Sequence, residues 1–156
     1  MPICHKRKIA FCHVPRAGGV SICASLGLIA EDKHMPVSWI KNQYPGYKTF
    51  SVYRPYRDRI SSSLGWKVPE ARKPFDGNFD DLVDMLVIRK RLPPNEKRSG
   101  IMLYPNEYFL DDSVDFLLQF CDLENELNKM LNQLSLPEIK LIKSNSFRNE
   151  KGKETN

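Results

Sequence analysis

Two stretches of this 156-residue chain gather the residue types that bind oxyanions. In the first, the apolar run Ile9-Ala10-Phe11-Cys12-His13-Val14 stops abruptly at Pro15-Arg16-Ala17-Gly18-Gly19, and Val20-Ser21-Ile22 opens a second apolar segment. That order predicts a strand, a tight turn and the start of a helix. Paired glycines let backbone amides approach a ligand closely, and a helix N-terminus supplies unpaired N–H groups with a partial positive charge. Arg16 adds a fixed cation, so the predicted guest is a phosphate or sulfate group. This is not the Walker A loop, G-x-x-x-x-G-K-[ST], because the cation precedes the glycines and no glycine stands at the required earlier position. Taken alone, a Gly-Gly pair after a strand is equally ordinary turn punctuation.

The second stretch changes that balance. Lys48-Thr49-Phe50-Ser51-Val52-Tyr53 is another β-rich run ending in charge: Arg54-Pro55-Tyr56-Arg57-Asp58-Arg59-Ile60-Ser61-Ser62-Ser63. A guanidinium presents a planar fork to phosphate oxygens, and a serine hydroxyl completes the shell. Alone, the segment also reads as a solvated helix turn with Asp58 pairing locally. A third chemical group is histidine, present three times as His5, His13 and His34. Imidazole titrates near neutral pH and suits general-base work. His13 adjoins the cradle, where positive charge would suppress its basicity. His34 follows Glu31-Asp32-Lys33, a setting in which a surface histidine is the plain alternative and Glu31, Asp32 and Glu70 are rival bases.

The run His13-Val14-Pro15-Arg16-Ala17-Gly18-Gly19-Val20-Ser21 resembles the H-I-P-K-T-G-G-T-S motif of sulfotransferases, particularly the carbohydrate sulfotransferases. The stretch after Tyr53 resembles that family's F-x-x-V-R-x-P-x-x-R-x-x-S pattern. Arg54, Arg59 and Ser62 keep its Arg-x4-Arg-x2-Ser spacing, whereas Pro55 stands one position early, so Ser61 is a substitute for Ser62. Weaker similarity extends from about residue 8 to 148, including Val114 to Glu124 as a late strand and helix start, and Leu141-Ile142-Lys143-Ser144-Asn145 as a terminal N-K-S-like segment. The resemblance implies a P-loop NTPase-like sulfotransferase fold. It implies 3′-phosphoadenosine 5′-phosphosulfate (PAPS) as sulfuryl donor, PAP as product and no metal. Arg16 with Ala17, Gly18, Gly19, Val20, Ser21 and Ile22 would hold the 5′-phosphosulfate, and Arg54, Arg59, Ser62, Lys143 and Ser144 the rest of the nucleotide. Arg16 and His34 would be catalytic, stabilising the leaving phosphate and deprotonating the acceptor hydroxyl. Arg16 stands where the family has lysine, and Ala17 and Val20 where it has threonine.

Elements must carry these residues to one place. Residues 8–14 and 48–53 read as strands, 19–29, 36–42 and 57–64 as helices, and 79–91 as a helix by apolar spacing at Phe79, Leu82, Val83, Leu86 and Val87. Residues 101–104 suggest a short strand. Residues 114–120 fit strand or helix by pattern, and the resemblance selects strand. Residues 122–134 form a helix with Leu123, Leu127, Met130, Leu131 and Leu134 on one core-facing side. Strands alternating with helices predict an α/β fold, three layers α/β/α with a mostly parallel sheet, whose ligands gather at the carboxyl ends of strands. The expected organisation is one domain, 1–145, minimal and C-terminally short for the family, then a polar tail, 146–156. Loops 65–78 and 93–112 are the expected acceptor rim.

The charge balance is 24 basic against 19 acidic residues, a net +5. The first thirty residues hold Lys6, Arg7, Lys8 and Arg16 and no acid. Such a field attracts a multiply anionic nucleotide or an acidic glycan. No helix-turn-helix, zinc-finger or aromatic-sheet signature points to nucleic acid. Cys4, Cys12, Cys23 and Cys121 form no paired framework and read as free thiols, and the adjacent Cys-His pairs point to opposite faces of a strand, a poor zinc geometry. With no secretory leader or membrane-length apolar run, a cytoplasmic protein, bacterial or viral, is expected. The leading expectation is transfer of a sulfuryl group from PAPS to a hydroxyl, with a carbohydrate as the expected acceptor. A non-catalytic binder of PAP, PAPS or acidic glycans is the alternative, and a P-loop kinase is disfavoured for want of Gly-Lys-Ser/Thr and a magnesium carboxylate.

Overall fold

A computed structural model of the chain describes residues 2–29, 34–67 and 104–142. The helix predicted over 79–91, the rim loops from 68 to 103 with nearly all of the strand predicted at 101–104, Lys143, Ser144 and the tail, and the rival bases Glu31, Asp32 and Glu70 lie outside the described residues.

The chain folds as an α/β structure around a mixed four-stranded sheet. It begins with an element that the pattern does not announce. Strand β1, Ile3–Cys4, pairs antiparallel with β2, Ile9–Cys12, matching Ile3 to Ala10 and Cys4 to Ile9. Two residues are too few to register a period. From β2 the chain crosses through α1, Gly19–Leu26, and α2, Val37–Gln43, to β3, Lys48–Tyr53, which lies parallel to β2. Arg54 and Pro55 lead into α3, Tyr56–Lys67. The short α4, Asn106–Phe109, precedes β4, Phe116–Gln119, parallel to β3. One 3₁₀ turn, Phe120–Asp122, then carries the chain into α5, Leu123–Gln133. The strand order is β1-β2-β3-β4.

All four residues of β2 are buried, as are Thr49, Phe50, Ser51 and Val52 of β3. Successive strand residues point to opposite faces, so the central sheet is covered on both sides. On one face the Phe11 and Phe50 rings stack with centroids 4.8 Å apart. Helix α5 turns Leu123, Leu127, Met130 and Leu131 into this core, as its apolar spacing predicts. Helix α1 stops at Leu26, before the predicted residue 29, because Gly27 takes φ +65° and its N–H returns to the Cys23 carbonyl. All four cysteines are free thiols, with Cys12 and Cys23 buried.

The amino end of the sheet is closed by Asp115. Its carboxylate accepts hydrogen bonds from Lys41 Nζ (2.6 Å), the Thr49 amide (2.7 Å) and Thr49 Oγ1 (2.9 Å), with Lys48 Nζ 3.5 Å away. Burial pushes this carboxyl up, but the Lys41 and Thr49 donors outweigh it and bring it down to about 2, from an ordinary 3.8. A depressed carboxyl contributes stability above its unfolded value and loses it as pH falls through the folded one. Asp115→Asn is expected to lower stability by about 1 kcal/mol at neutral pH, the worth of a partly exposed charge-assisted cluster. Urea denaturation at pH 7 and near pH 2 checks this, because the difference between the two proteins should vanish at the lower pH.

Candidate functional site

The carboxyl ends of β2 and β3 converge on the loop from His13 to Gly19. Arg16 takes φ +62°, a left-handed conformation that costs a non-glycine residue on the order of 1 kcal/mol. The carbonyls on either side of its Cα are both held by the second motif. Arg59 Nη1 donates to Pro15 O at 3.1 Å, and Arg54 Nη1 donates to Arg16 O at 2.8 Å. The turn is therefore braced from outside, by guanidiniums about forty residues away in sequence. Arg16 answers with its own side chain: Nε and Nη2 donate to Ser62 Oγ at 3.1 and 2.9 Å, and Nη2 to Ser62 O at 3.2 Å.

Gly18 is the N-cap of α1 at φ +80°, with no side-chain cap and no acidic residue in the first turn. The first amides of an α-helix have no intrahelical acceptor, so this terminus is a ready anion site beside Arg16. The glycines have a second reason to be there. A Cβ on Gly19 would stand 1.9 Å from His13 Nε2, and one on Gly18 would meet Leu123 Cδ2 at 2.9 Å and Phe120 Cε2 at 3.3 Å. Close packing of the molecule on itself, as well as access for a ligand, excludes side chains at both positions.

His13 stacks on Phe11 with ring centroids 5.5 Å apart and lies 4.6 Å from the His34 ring. Its Nδ1 is buried without a hydrogen-bond partner among the described residues. Burial, then the nearby His34, hold its pKa down to about 3, so His13 is neutral at ordinary pH. His34 Nδ1 lies 2.7 Å from His13 O. A carbonyl can only accept, so Nδ1 carries a proton, and in the neutral ring the lone pair is on Nε2. The candidate base is thus oriented by the backbone of the cradle strand.

The three arginines differ in role. Arg59 is fully buried, donates also to Tyr104 O at 2.5 Å, and faces the Tyr56 and Phe109 rings. The resemblance implies that Arg59 contacts the nucleotide; in the structure its guanidinium also supports the loop through the Pro15 and Tyr104 carbonyls. Arg54 lies 4.2 Å over the Phe120 ring, and Asn106 Nδ2 donates to its carbonyl at 3.0 Å. Burial lowers the pKa of Arg16, Arg54 and Arg59, and Arg54 adds repulsion to the other two. A locus that gathers mutually repelling guanidiniums is relieved by an anion.

Of the residues singled out in the sequence, Arg16, Gly18, Gly19, His34, Arg54, Arg59 and Ser62 are brought together. Ala17 and Ile22 are buried, so they present only backbone, whereas Val20 is half exposed. Phe120 and Asn106 join the site without having been foreseen. Phe120 directly follows β4 as Arg54 follows β3 and His13 follows β2, so the strand-end rule applied to the third parallel strand was the available signal. Among the described residues no group of His, Cys, Asp and Glu side chains is placed to hold a metal ion, and no helix is long and apolar enough to cross a membrane.

Comparison of the chain with protein-family models, with curated proteins and with solved structures finds no match.

A histidine whose folded pKa lies near 3 against an ordinary 6.5 contributes stability above 6.5 and loses it as pH falls toward 3. The melting temperature is therefore expected to drop from about pH 7 to about pH 4.5 more steeply in the parent than in His13→Gln, which has no titrating ring. Calorimetry across that interval checks it, and parallel curves would remove the neutral His13 as the cause.

Proposed function

We propose that the protein binds a 3′-phosphorylated adenine nucleotide and acts as a PAPS-dependent sulfotransferase on a hydroxyl acceptor, in a P-loop-like α/β fold. The observation that carries this reading is the contact between the two motifs. Arg16 of the glycine loop and Ser62 of the arginine segment, 46 residues apart, are joined through side-chain hydrogen bonds. Two sequence patterns that resemble the 5′- and 3′-phosphate sites of one family thus meet at one place. The residues fit such a ligand: an uncapped helix terminus, the Arg16 guanidinium paired with the Ser62 hydroxyl, and a second guanidinium, Arg54, held to the Arg16 carbonyl.

The donor supplies an activated sulfuryl group; the chain supplies charge and a base. In the transfer the acceptor oxygen bonds to sulfur as the bond from sulfur to the phosphate oxygen breaks, and the acceptor proton goes to His34 Nε2. Arg16 and the first amides of α1 stabilise the charge left on the phosphate, which is the larger part of catalysis in reactions of this kind. Arginine at position 16 serves as an electrostatic stabiliser with no proton to give at neutral pH. A carbohydrate is the acceptor class that the sequence resemblance favours. A protein that binds the nucleotide without transfer is the second reading, favoured by the departures at Arg16, Ala17 and Val20.

PAP at about 100 times its dissociation constant is expected to add roughly 2.7 kcal/mol of stability, a rise of about 5–10 °C in melting temperature. AMP, without the 3′-phosphate, should do far less. Equal shifts with the two nucleotides would defeat the assignment of Arg54 and Ser62. For the base, His34→Ala should leave PAP binding intact while lowering transfer from labelled PAPS to a glycan panel by about 10²–10⁴-fold. Turnover within about threefold of the parent would move that role elsewhere.

A further inference from the structure

We infer that Phe120 is a positioning residue: its ring holds the Arg54 guanidinium in the plane needed for the 3′-phosphate, and so determines discrimination between 3′-phosphorylated and plain nucleotides. The inference rests on the reading of the site as a nucleotide site, and adds to it a residue from a third strand end.

The Arg54 side chain is constrained on two sides. Its guanidinium carbon lies 4.2 Å from the Phe120 ring centroid, within reach of the ring's negative face. Its Nη1 corner is tied to Arg16 O, and its own carbonyl is tied to Asn106 Nδ2. Nε is buried and has no hydrogen-bond acceptor among the described residues. A guanidinium grips an oxyanion through a pair of neighbouring N–H groups, and the edge formed by Nε and Nη2 is the pair that Arg16 O leaves unused. A flat aromatic surface beneath the guanidinium fixes its plane while consuming none of its donors, which no hydroxyl or carboxylate neighbour could do. The half-buried Phe120 ring touches the glycine loop as well, since a Cβ at Gly18 would come within 3.3 Å of it. The same ring therefore sets the distance between the helix terminus expected to hold the 5′-phosphosulfate and the arginine expected to hold the 3′-phosphate. Leu123 also packs on Gly18, so the loop keeps an apolar neighbour when the Phe120 ring is changed.

The test compares the parent with Phe120→Leu, Phe120→Tyr and Arg54→Ala in the full chain, by calorimetric titration with PAP and with AMP and by the Arg54 Nε–H resonance in ¹⁵N spectra. Loss of a partly desolvated cation–π contact should weaken PAP binding about 5- to 30-fold in Phe120→Leu while AMP changes less than about twofold. Phe120→Tyr, which restores the aromatic face, should recover PAP binding to within about threefold of the parent. In the nucleotide-free protein, the Arg54 Nε–H signal should be ring-shifted in the parent and in Phe120→Tyr, and collapse toward the exposed-arginine position in Phe120→Leu. An unmoved Arg54 signal in Phe120→Leu overturns the inference, as does an equal fall of PAP and AMP affinity, which would assign Phe120 to packing alone. A parent that binds PAP no better than AMP defeats the nucleotide reading and the discrimination inferred here, while the Arg54 signal still decides whether Phe120 orients the guanidinium.

Discussion

The site depends on a backbone conformation that the loop cannot hold by itself. Arg16 sits at positive φ, separated from the glycine pair only by Ala17, and the carbonyls flanking it point outward, where Arg59 and Arg54 bind them. A left-handed arginine persists only where its surroundings over-determine it. Here the surroundings are the carboxyl end of β3 and the start of α3, so the first anion motif has its shape because the second one is in place. Arg59 shows the division most clearly. Among the described residues it is the largest of the fully buried side chains, and it donates to backbone oxygens at Pro15 and Tyr104. A charged group is tolerated there because its planar fork meets carbonyls that would otherwise need partners of their own.

The two ends of the sheet are specialised. At the amino end, Asp115 gathers Lys41 and both donors of Thr49, pairing opposite charges so that each satisfies the other. At the carboxyl end, positive groups collect, three guanidiniums near an uncapped helix terminus. The first arrangement lowers the energy of the folded chain. The second accepts mutual repulsion and burial that work against the charges, evident in the downward pKa shifts of Arg16, Arg54 and Arg59. Parallel strands direct their carboxyl ends, with the following helix N-termini, toward the same crevice, so the fold itself separates an end of paired charges from an end of gathered positive ones.

The histidines illustrate how position on one strand separates roles. His13 is half-buried between Phe11 and Gly19, neutral, and contributes shape and a carbonyl. His34 is brought from the far side of α1 to that carbonyl, and the bond decides which of its nitrogens holds the lone pair. Neither role follows from the residue type, since both are imidazoles within twenty-one residues of each other.

The sequence alone determined what local rules govern: the strand-turn-helix at residues 9–26, the β3–α3 passage with its arginines, and the apolar stripe of α5. Each is a short-range pattern of burial period, glycine and charge, and each appears where the pattern put it, to within a few residues. Only the tertiary structure decided which donors meet which acceptors. That Ser62 is the serine at Arg16, that Arg59 turns inward to Pro15 while Arg54 lies on Phe120, and that Gly19 is obligatory because of His13 are all contacts between distant segments. The two-residue β1 was equally invisible, because it exists only through its pairing with β2. Spacing along a chain carries the chemistry of a motif; the direction in which a guanidinium points is set by packing against residues that the motif does not contain.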